Sequence, residues 1–201
     1  MKKLVIAPHV DDEVLGCGGI IDKDTFVLYC GVEDRSYVSR EERIAELEEL
    51  RKFIGFKVKL LNNKVNDYKE ADLIPKVEKT INEQKPDQVF IPYPSYNQDH
   101  RAVYNAALVA LRQHDQNFFV KKVLVYEQPH VFFWSHNNKD QFNPNYFVTI
   151  DIEKKLNAYA LLKSIVRSFR NPEHVKALAI LRGGQSNCKY AEAFQVLRWI
   201  D

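Results

Sequence analysis

Short uninterrupted apolar runs alternate along the chain with longer segments in which apolar residues recur three or four positions apart. The runs predict buried strands, and the periodic segments predict helices. The clearest helix covers residues 37–54, because Ile44, Leu47 and Leu50 share one face and Gly55 can end it. We expect strands at Leu4–Ala7, Phe26–Val32, Val58–Leu61, Gln88–Pro92, Val123–Glu127 and Phe147–Ile150. We expect the other helices at Leu73–Gln84, Arg101–Gln113, Ile152–Ser168 and Pro172–Leu181, and then a loop and a last helix or strand over 182–201.

Strands that are separated by helical segments are typical of β-α-β units. The pattern therefore predicts an α/β fold with a mainly parallel sheet and helices on both of its sides. In such sheets, functional side chains collect beyond the carboxyl ends of the strands. Two polar clusters follow predicted strands in this chain: residues 9–13 come after the first strand, and residues 97–100 come after the fourth.

The composition is that of an ordinary globular protein, with 45% hydrophobic and 28% charged residues. The net charge is +2 without a long block of one sign, which argues against a nucleic-acid partner. The length, and the lack of a repeat or linker, predict a single domain over residues 1–201. Three cysteines form no recognisable metal or disulfide framework, and the apolar runs are too short for a signal peptide or a transmembrane helix. We expect a cytoplasmic protein. Its oligomeric state stays open, and a homo-oligomer is one of the alternatives.

The segment after the first strand offers one imidazole and two carboxylates within four positions, from His9, Asp11 and Asp12. Residues three apart lie on one face of a turn, so His9 and Asp12 can reach a common point. Histidine nitrogen and carboxylate oxygen are ordinary ligands of zinc. Asp11 projects elsewhere and is free to accept a proton from a water at the metal. The plain alternative is that the acidic run only caps a helix and complements its dipole.

Asp99 and His100 come immediately before a predicted helix. In the plain interpretation, Asp99 caps that helix and His100 is a turn residue. However, loops that follow two strands at one edge of a sheet converge, so His9, Asp12 and His100 can meet. Three protein ligands and a water in the fourth position is the usual arrangement of catalytic zinc.

Several of these residues resemble the motifs of a known family. Pro8-His9-Val10-Asp11-Asp12-Glu13, followed by Leu15-Gly16-Cys17-Gly18-Gly19, resembles the signature of the PIG-L/LmbE-like N-acetylglucosamine deacetylases. Gln98-Asp99-His100-Arg101-Ala102 resembles a second motif of that family. Further matches are Arg43 with Glu46, Ile54-Gly55, Asp151-Ile152 and the stretch from Tyr190 to Phe194. The resemblance covers nearly the whole chain and implies a Rossmann-like three-layer sandwich.

The resemblance also implies a reaction and the residues that perform it. The reaction is removal of an acetyl group from the nitrogen of a small-molecule N-acetylated sugar derivative. The implied cofactor is Zn²⁺ on His9, Asp12 and His100, with Asp11 as the general base. Fe²⁺ in place of Zn²⁺ stays open.

One position departs from the family pattern. Many members have a second histidine, proposed to assist at the oxyanion, where this chain has Asn97. The amide of Asn97 can donate a hydrogen bond but cannot act as an acid. Oxyanion stabilisation can then depend more on the metal, or it can come from His130 or His136 in the segment 128–147.

Four further residues are expected near the substrate, and one behind a metal ligand. Arg43, Glu46, Arg35 and His130 are the candidate substrate-binding residues, and Asp99 is expected to hydrogen-bond a metal-binding histidine. Each has a plain alternative. Arg43 and Glu46 can form an ion pair within one helix, Arg35 can be solvated, and the aromatic segment around His130 can pack in the core.

Two other functions fit parts of the sequence. One is another metal-dependent hydrolase that acts on a phosphoester or a peptide-like amide, although two histidines favour zinc over magnesium. The other is a nucleotide-binding module without catalysis. Against that module, Gly16-Cys17-Gly18-Gly19 lacks the G-x-G-x-x-G spacing and follows acidic residues that would repel a pyrophosphate.

Overall fold

One sheet of seven strands organises the computed structural model, which describes residues 1–130, 141–167 and 170–201. The strands are β1 (Lys3–Ala7), β2 (Thr25–Tyr29), β3 (Lys57–Leu60), β4 (Gln88–Pro92), β5 (Lys122–Tyr126), β6 (Tyr146–Thr149) and β7 (Ala191–Trp199). The helices are α1 (Asp12–Cys17), α2 (Arg40–Ile54), α3 (Glu70–Gln84), α4 (Gln98–Ala110), α5 (Ile152–Ala160) and α6 (Pro172–Gln185). The strand order is β3-β2-β1-β4-β5-β7-β6.

The sheet is mixed, so the prediction of a mainly parallel sheet is only partly right. The strands β1 to β5 pair in parallel, as the alternation of strands and helices predicts. The last strand, β7, runs antiparallel to both of its neighbours, β5 and β6. It lies in the segment 182–201, for which the sequence predicts either a last helix or a last strand. An antiparallel edge on an otherwise parallel sheet is common in α/β proteins.

Apolar side chains fill both faces of the sheet, which gives the predicted three layers. On β1, Val5 and Ala7 face one apolar cluster, while Leu4 and Ile6 face the other. Helices α1, α2, α5 and α6 contribute to the first cluster, and α3 and α4 contribute to the second. This alternation is the period of two that a strand imposes on its side chains.

The helix α5 ends at Ala160, well before the predicted end at Ser168, which lies outside the described residues. A contact with α2 accounts for the early end. The backbone N–H of Ser164 donates to Glu46 Oε1 at 2.7 Å, and the Ser164 hydroxyl donates to Glu46 Oε2. The chain after α5 is therefore held against α2 and does not continue as a helix. None of the described helices is both long and apolar enough to cross a bilayer.

Glycines let α1 lie directly on the sheet. A Cβ atom at Gly16 would be 2.2 Å from Cδ2 of Tyr126 on β5, and one at Gly19, just after α1, would be 2.3 Å from Cγ2 of Ile150, just after β6. Only glycine permits such a close approach. The first turn of α1, which contains Asp12, is thereby fixed relative to the strand ends.

Candidate metal centre

Three side chains from two loops meet beyond the carboxyl ends of β1 and β4, which are parallel neighbours in the sheet. His9 follows β1, Asp12 begins α1, and His100 lies in the first turn of α4. One ligand atom from each of the three lies within 4.8 Å of the others. Their exposed fractions are 6%, 2% and 2%, so the three are shielded from solvent.

The distances from Asp12 to the two histidines match the spacing of ligand atoms in a tetrahedral zinc site. The Asp12 Oδ2 atom lies 3.5 Å from His9 Nδ1 and 3.4 Å from His100 Nε2. Ligand bonds of about 2.0–2.1 Å to a tetrahedral zinc place neighbouring ligand atoms about 3.3 Å apart. The backbone N–H of His9 also donates to Asp12 Oδ2 at 2.9 Å, which fixes the carboxylate beside the histidine.

Asp99 lies behind His9 and orients its ring. The Nε2 atom of His9 is 2.9 Å from Asp99 Oδ2, which leaves Nδ1 as the histidine atom that faces Asp12. The same carboxylate oxygen accepts the backbone N–H of Asn66 at 2.6 Å. Asp99 is not the cap of α4, because Asn97 Oδ1 accepts the backbone N–H of Asp99 at 2.8 Å and fills that position. A hydrogen-bonded carboxylate behind a ligating histidine is the common arrangement around zinc.

Asp11 has a strained backbone and a side chain that does not cap α1. Its φ is 149°, a region that residues other than glycine rarely adopt, and its carboxylate makes no capping hydrogen bond. Its backbone N–H donates to Glu13 Oε2 at 3.1 Å, and its Oδ2 accepts from Arg170 Nη1 at 2.9 Å. The plain alternative of a helix cap is therefore wrong for this residue. Strain of this kind is found at functional sites.

Burial and close charges set the pKa values of the cluster. Burial, and then repulsion from Asp12, raises the pKa of Asp11 to about 8, although Arg170 opposes the shift. Burial works against ionisation of Asp12, yet the nearby His100 and His9 hold its pKa well below the usual range. Burial also works against a charged His9, but hydrogen bonds to Asp12 and Asp99 raise its pKa to about 10. Burial lowers the pKa of His100 to about 4.

The structure brings His130 to the cluster. The His130 ring lies 5.3 Å from the His100 ring, nearly perpendicular to it, and 5.7 Å from the ring of Tyr96. Burial lowers the pKa of His130 to about 3, which favours the neutral imidazole. Asn97 uses its side-chain oxygen to cap α4. The other histidine considered for this role, His136, lies outside the described residues.

Two of the remaining candidates form a buried network beside the site. Arg43, which is fully buried, donates to Ser164 Oγ at 2.6 Å and to Glu33 Oε2 at 2.9 Å, and its Nη1 lies 3.6 Å from Glu46 Oε2. Arg43 and Glu46 are thus an i,i+3 ion pair that also holds the chain after α5. A contact of either with substrate stays a prediction.

Arg35 lies between β2 and α2 and contacts the loop that supports Asp99. Its Nη2 is 2.8 Å from the side-chain oxygen of Asn66, in the amide orientation that satisfies both groups. The backbone N–H of Asn66 in turn donates to Asp99. Arg35 is partly exposed. A role for Arg35 with substrate also stays a prediction.

Two residues at the site were not predicted from the sequence. Arg170, which contacts Asp11, lies 159 positions along the chain from it. Gln128 donates from Nε2 to Asp12 Oδ1 and is completely buried. Gln128 comes two residues after Tyr126, the last residue of β5, so the rule about strand ends could have identified it. Nothing local marks Arg170.

A sequence model of the GlcNAc-PI de-N-acetylase family, PIG-L, matches residues 4–111, which is just over half of the 201 residues. The chain belongs to this family. The matched region contains His9, Asp12 and His100. No curated protein sequence matches the chain significantly.

Solved structures share the fold at low sequence identity. The N,N'-diacetylchitobiose deacetylase from Pyrococcus horikoshii is 24% identical with a TM-score of 0.77, over 98% of this chain and 84% of that one. The conserved protein TT1542 from Thermus thermophilus is 22% identical with a TM-score of 0.81, and the match covers 100% of this chain and 96% of that one. GalB, the 4-carboxy-2-hydroxymuconate hydratase from Pseudomonas putida, is 18% identical with a TM-score of 0.77, and the match covers 100% of this chain and 98% of that one.

Proposed function

We propose that this protein is a zinc-dependent deacetylase that hydrolyses the acetamido group of an N-acetylated sugar or sugar conjugate of the N-acetylglucosamine type. The observation that carries the proposal is the buried set of His9, Asp12 and His100, with Asp11 beside it. Membership of the PIG-L family and a deacetylase among its structural neighbours support the same reaction.

The residues of the cluster fit a zinc ion. His9 Nδ1, Asp12 Oδ2 and His100 Nε2 are the three atoms that would hold it, since the other atoms of His9 and Asp12 already have partners. When bound there, Zn²⁺ lowers the pKa of a bound water to about 7 and polarises the amide carbonyl. Two nitrogens and one oxygen suit Zn²⁺ and Fe²⁺ better than magnesium, which prefers oxygen ligands.

Asp11 is the proposed general base. Arg170 occupies its Oδ2, so Oδ1 is the atom that we assign to take a proton from the attacking water. The water oxygen bonds to the acetyl carbon, the C–N bond breaks, and Asp11 returns the proton to the leaving nitrogen. The products are acetate and the free amine. Arg170 orients the carboxylate in this scheme and touches no reacting atom.

Two side chains are candidates to hydrogen-bond the carbonyl oxygen as it becomes negative. Asn97 can still donate from its Nδ2, although its Oδ1 caps α4. The second candidate is His130, which packs against His100 and, as a neutral imidazole, carries one N–H donor. Arg43, Glu46 and Arg35 are proposed to lie along the sugar.

The fold itself does not select the reaction, because a hydratase shares it at the same TM-score as the chitobiose deacetylase. The experiment must therefore detect the released group. Protein loaded with Zn²⁺ or Fe²⁺ is incubated with N-acetylated sugars, nucleotide sugars and glycosides, and free acetate is measured. We expect acetate from at least one sugar, and none with His9→Ala, which should also lose the metal by elemental analysis. Metal-loaded protein that cleaves only phosphoesters or non-sugar amides would overturn the proposal.

Asp99 should matter through metal binding. Asp99→Asn removes the carboxylate that accepts from His9 and holds its ring, so we expect metal affinity to fall about 10–100-fold, the usual loss for such partners. Titration calorimetry with Zn²⁺ measures it. Asp67→Asn, an exposed aspartate in the nearby loop, is the control and should bind zinc like the wild type. Equal affinity of Asp99→Asn and the wild type would remove this role.

A further inference from the structure

The carboxylate of Asp12 has two oxygens, and only one of them faces the two histidines. Oδ2 lies 3.5 Å from His9 Nδ1 and 3.4 Å from His100 Nε2. Oδ1 accepts a hydrogen bond from Nε2 of Gln128, a residue 116 positions further along the chain. The two oxygens are therefore in different environments before any cation binds.

Among the described residues, the hydrogen bond to Asp12 is the side-chain hydrogen bond that Gln128 makes. It is completely buried, and among the described residues its Oε1 has no hydrogen-bond partner. Burying an amide oxygen without a partner costs free energy. Because an apolar side chain would avoid that cost, packing alone does not account for a glutamine here. The hydrogen bond to Asp12 is the contact that offsets the cost.

The backbone that precedes Gln128 is anchored. Gln128 follows β5, the strand next to β4 in the sheet, two residues after Tyr126. Its neighbour Glu127 accepts two hydrogen bonds from Arg182 on α6, one of them 2.8 Å from Nε to Oε2. Glu127 and Arg182 are 5% and 6% exposed, so this pair is shielded from solvent. Gln128 is thus presented to Asp12 from a fixed strand end.

We propose that Gln128 is a positioning residue for the metal centre, which keeps Asp12 as a ligand through one oxygen. By occupying Oδ1, the amide leaves Oδ2, which also accepts the backbone N–H of His9, as the oxygen that faces the two histidines, and it keeps the coordination number low. A low coordination number leaves an open position at the ion, which catalytic zinc sites need. The inference rests on the proposed metal site. It adds to that site a residue that lies outside the two motifs containing His9, Asp12 and His100.

Two variants test this role. Gln128→Met keeps the length of the side chain and removes the donor, and Gln128→Leu removes the donor with a different shape. We expect Zn²⁺ affinity, measured by calorimetry, to fall about 10–100-fold in both, as for other residues that hold a metal ligand. With Co²⁺ in place of Zn²⁺, we expect weaker visible absorption, because a second Asp12 oxygen can then bind and raise the coordination number.

A matched substitution separates this role from a general effect on the fold. Gln88, on β4, is also buried, but at the opposite end of the parallel strands, so Gln88→Met should leave Zn²⁺ affinity and the Co²⁺ spectrum unchanged. Unfolding of the metal-free variants in urea measures any loss of stability by itself. If the wild type binds metal and both Gln128 variants bind it with the same affinity and spectrum, the inference is wrong. If the wild type binds no metal, the proposed function fails first.

Discussion

Replacement of Asp11 by asparagine should lower the rate of acetate release by about 10²- to 10⁴-fold, the usual contribution of acid–base catalysis, and should leave the metal bound. The asparagine side chain has nearly the same shape, but its amide cannot accept a proton from water at neutral pH. The metal should remain, because Asp11 Oδ2 is held by Arg170 and Asp11 belongs to none of the atom pairs that define the cluster.

The measurement combines turnover and metal content on the same sample. Single-turnover rates with an accepted substrate give the chemical step, and elemental analysis gives the metal per chain. Asp24→Asn is the control, because Asp24 is exposed in the turn before β2 and should keep wild-type values. If Asp11→Asn turns over at the wild-type rate with its metal bound, Asp11 is not the base. If it loses the metal, its role is structural and the assignment of ligands must change.

The strand-end rule explains why the main cluster could be predicted. His9, Asp12 and His100 each come within eight residues of the end of a strand that the apolar pattern identifies, and those strands are neighbours in the sheet. Loops at one edge of a parallel sheet converge whatever their sequences are. The pattern therefore placed the three side chains together without any knowledge of their contacts.

Two contacts of the site could not be predicted in this way. Arg170 reaches Asp11 from the chain between α5 and α6, and no local pattern marks one arginine in a charged segment as a partner. Asp99 had two possible roles, and the choice depended on Asn97, which caps α4 in its place. A choice between a cap and a partner of histidine depends on side-chain orientation, which a linear sequence does not contain.

The last third of the fold was predicted least well, for a related reason. The strand β7 lies between β5 and β6 and is antiparallel to both, so its place depends on pairing with distant segments and not on its own pattern. The end of α5 depends on Glu46, which is 118 positions away from Ser164. Parallel β-α-β units are local and can be predicted from the alternation of elements. These contacts are long-range and cannot.

Arg182→Met should destabilise the protein by about 3–5 kcal/mol, the typical cost when one partner of a buried ion pair is removed. The two hydrogen bonds from Arg182 to Glu127 are lost, and the carboxylate stays in a site that is only 5% exposed. Burial already raises the pKa of Glu127 above its usual value with Arg182 present, and the variant should raise it further. A raised pKa in the folded state means that the unfolded chain releases this proton first, so stability falls as the pH rises.

Urea unfolding of the metal-free protein, at about pH 5 and about pH 8, tests both statements, because a glutamate in the unfolded chain ionises at about pH 4.3. The loss on Arg182→Met should be larger at the higher pH. Replacing both partners, as Arg182→Met with Glu127→Leu, should recover much of the stability, since two apolar groups leave no buried charge. Lys52→Met is the control, because Lys52 and Glu49 form an exposed pair, and no measurable change is expected there. A pH-independent loss no larger than that of the control would mean that Glu127 does not depend on Arg182, and the anchor proposed for Gln128 would then have to come from elsewhere.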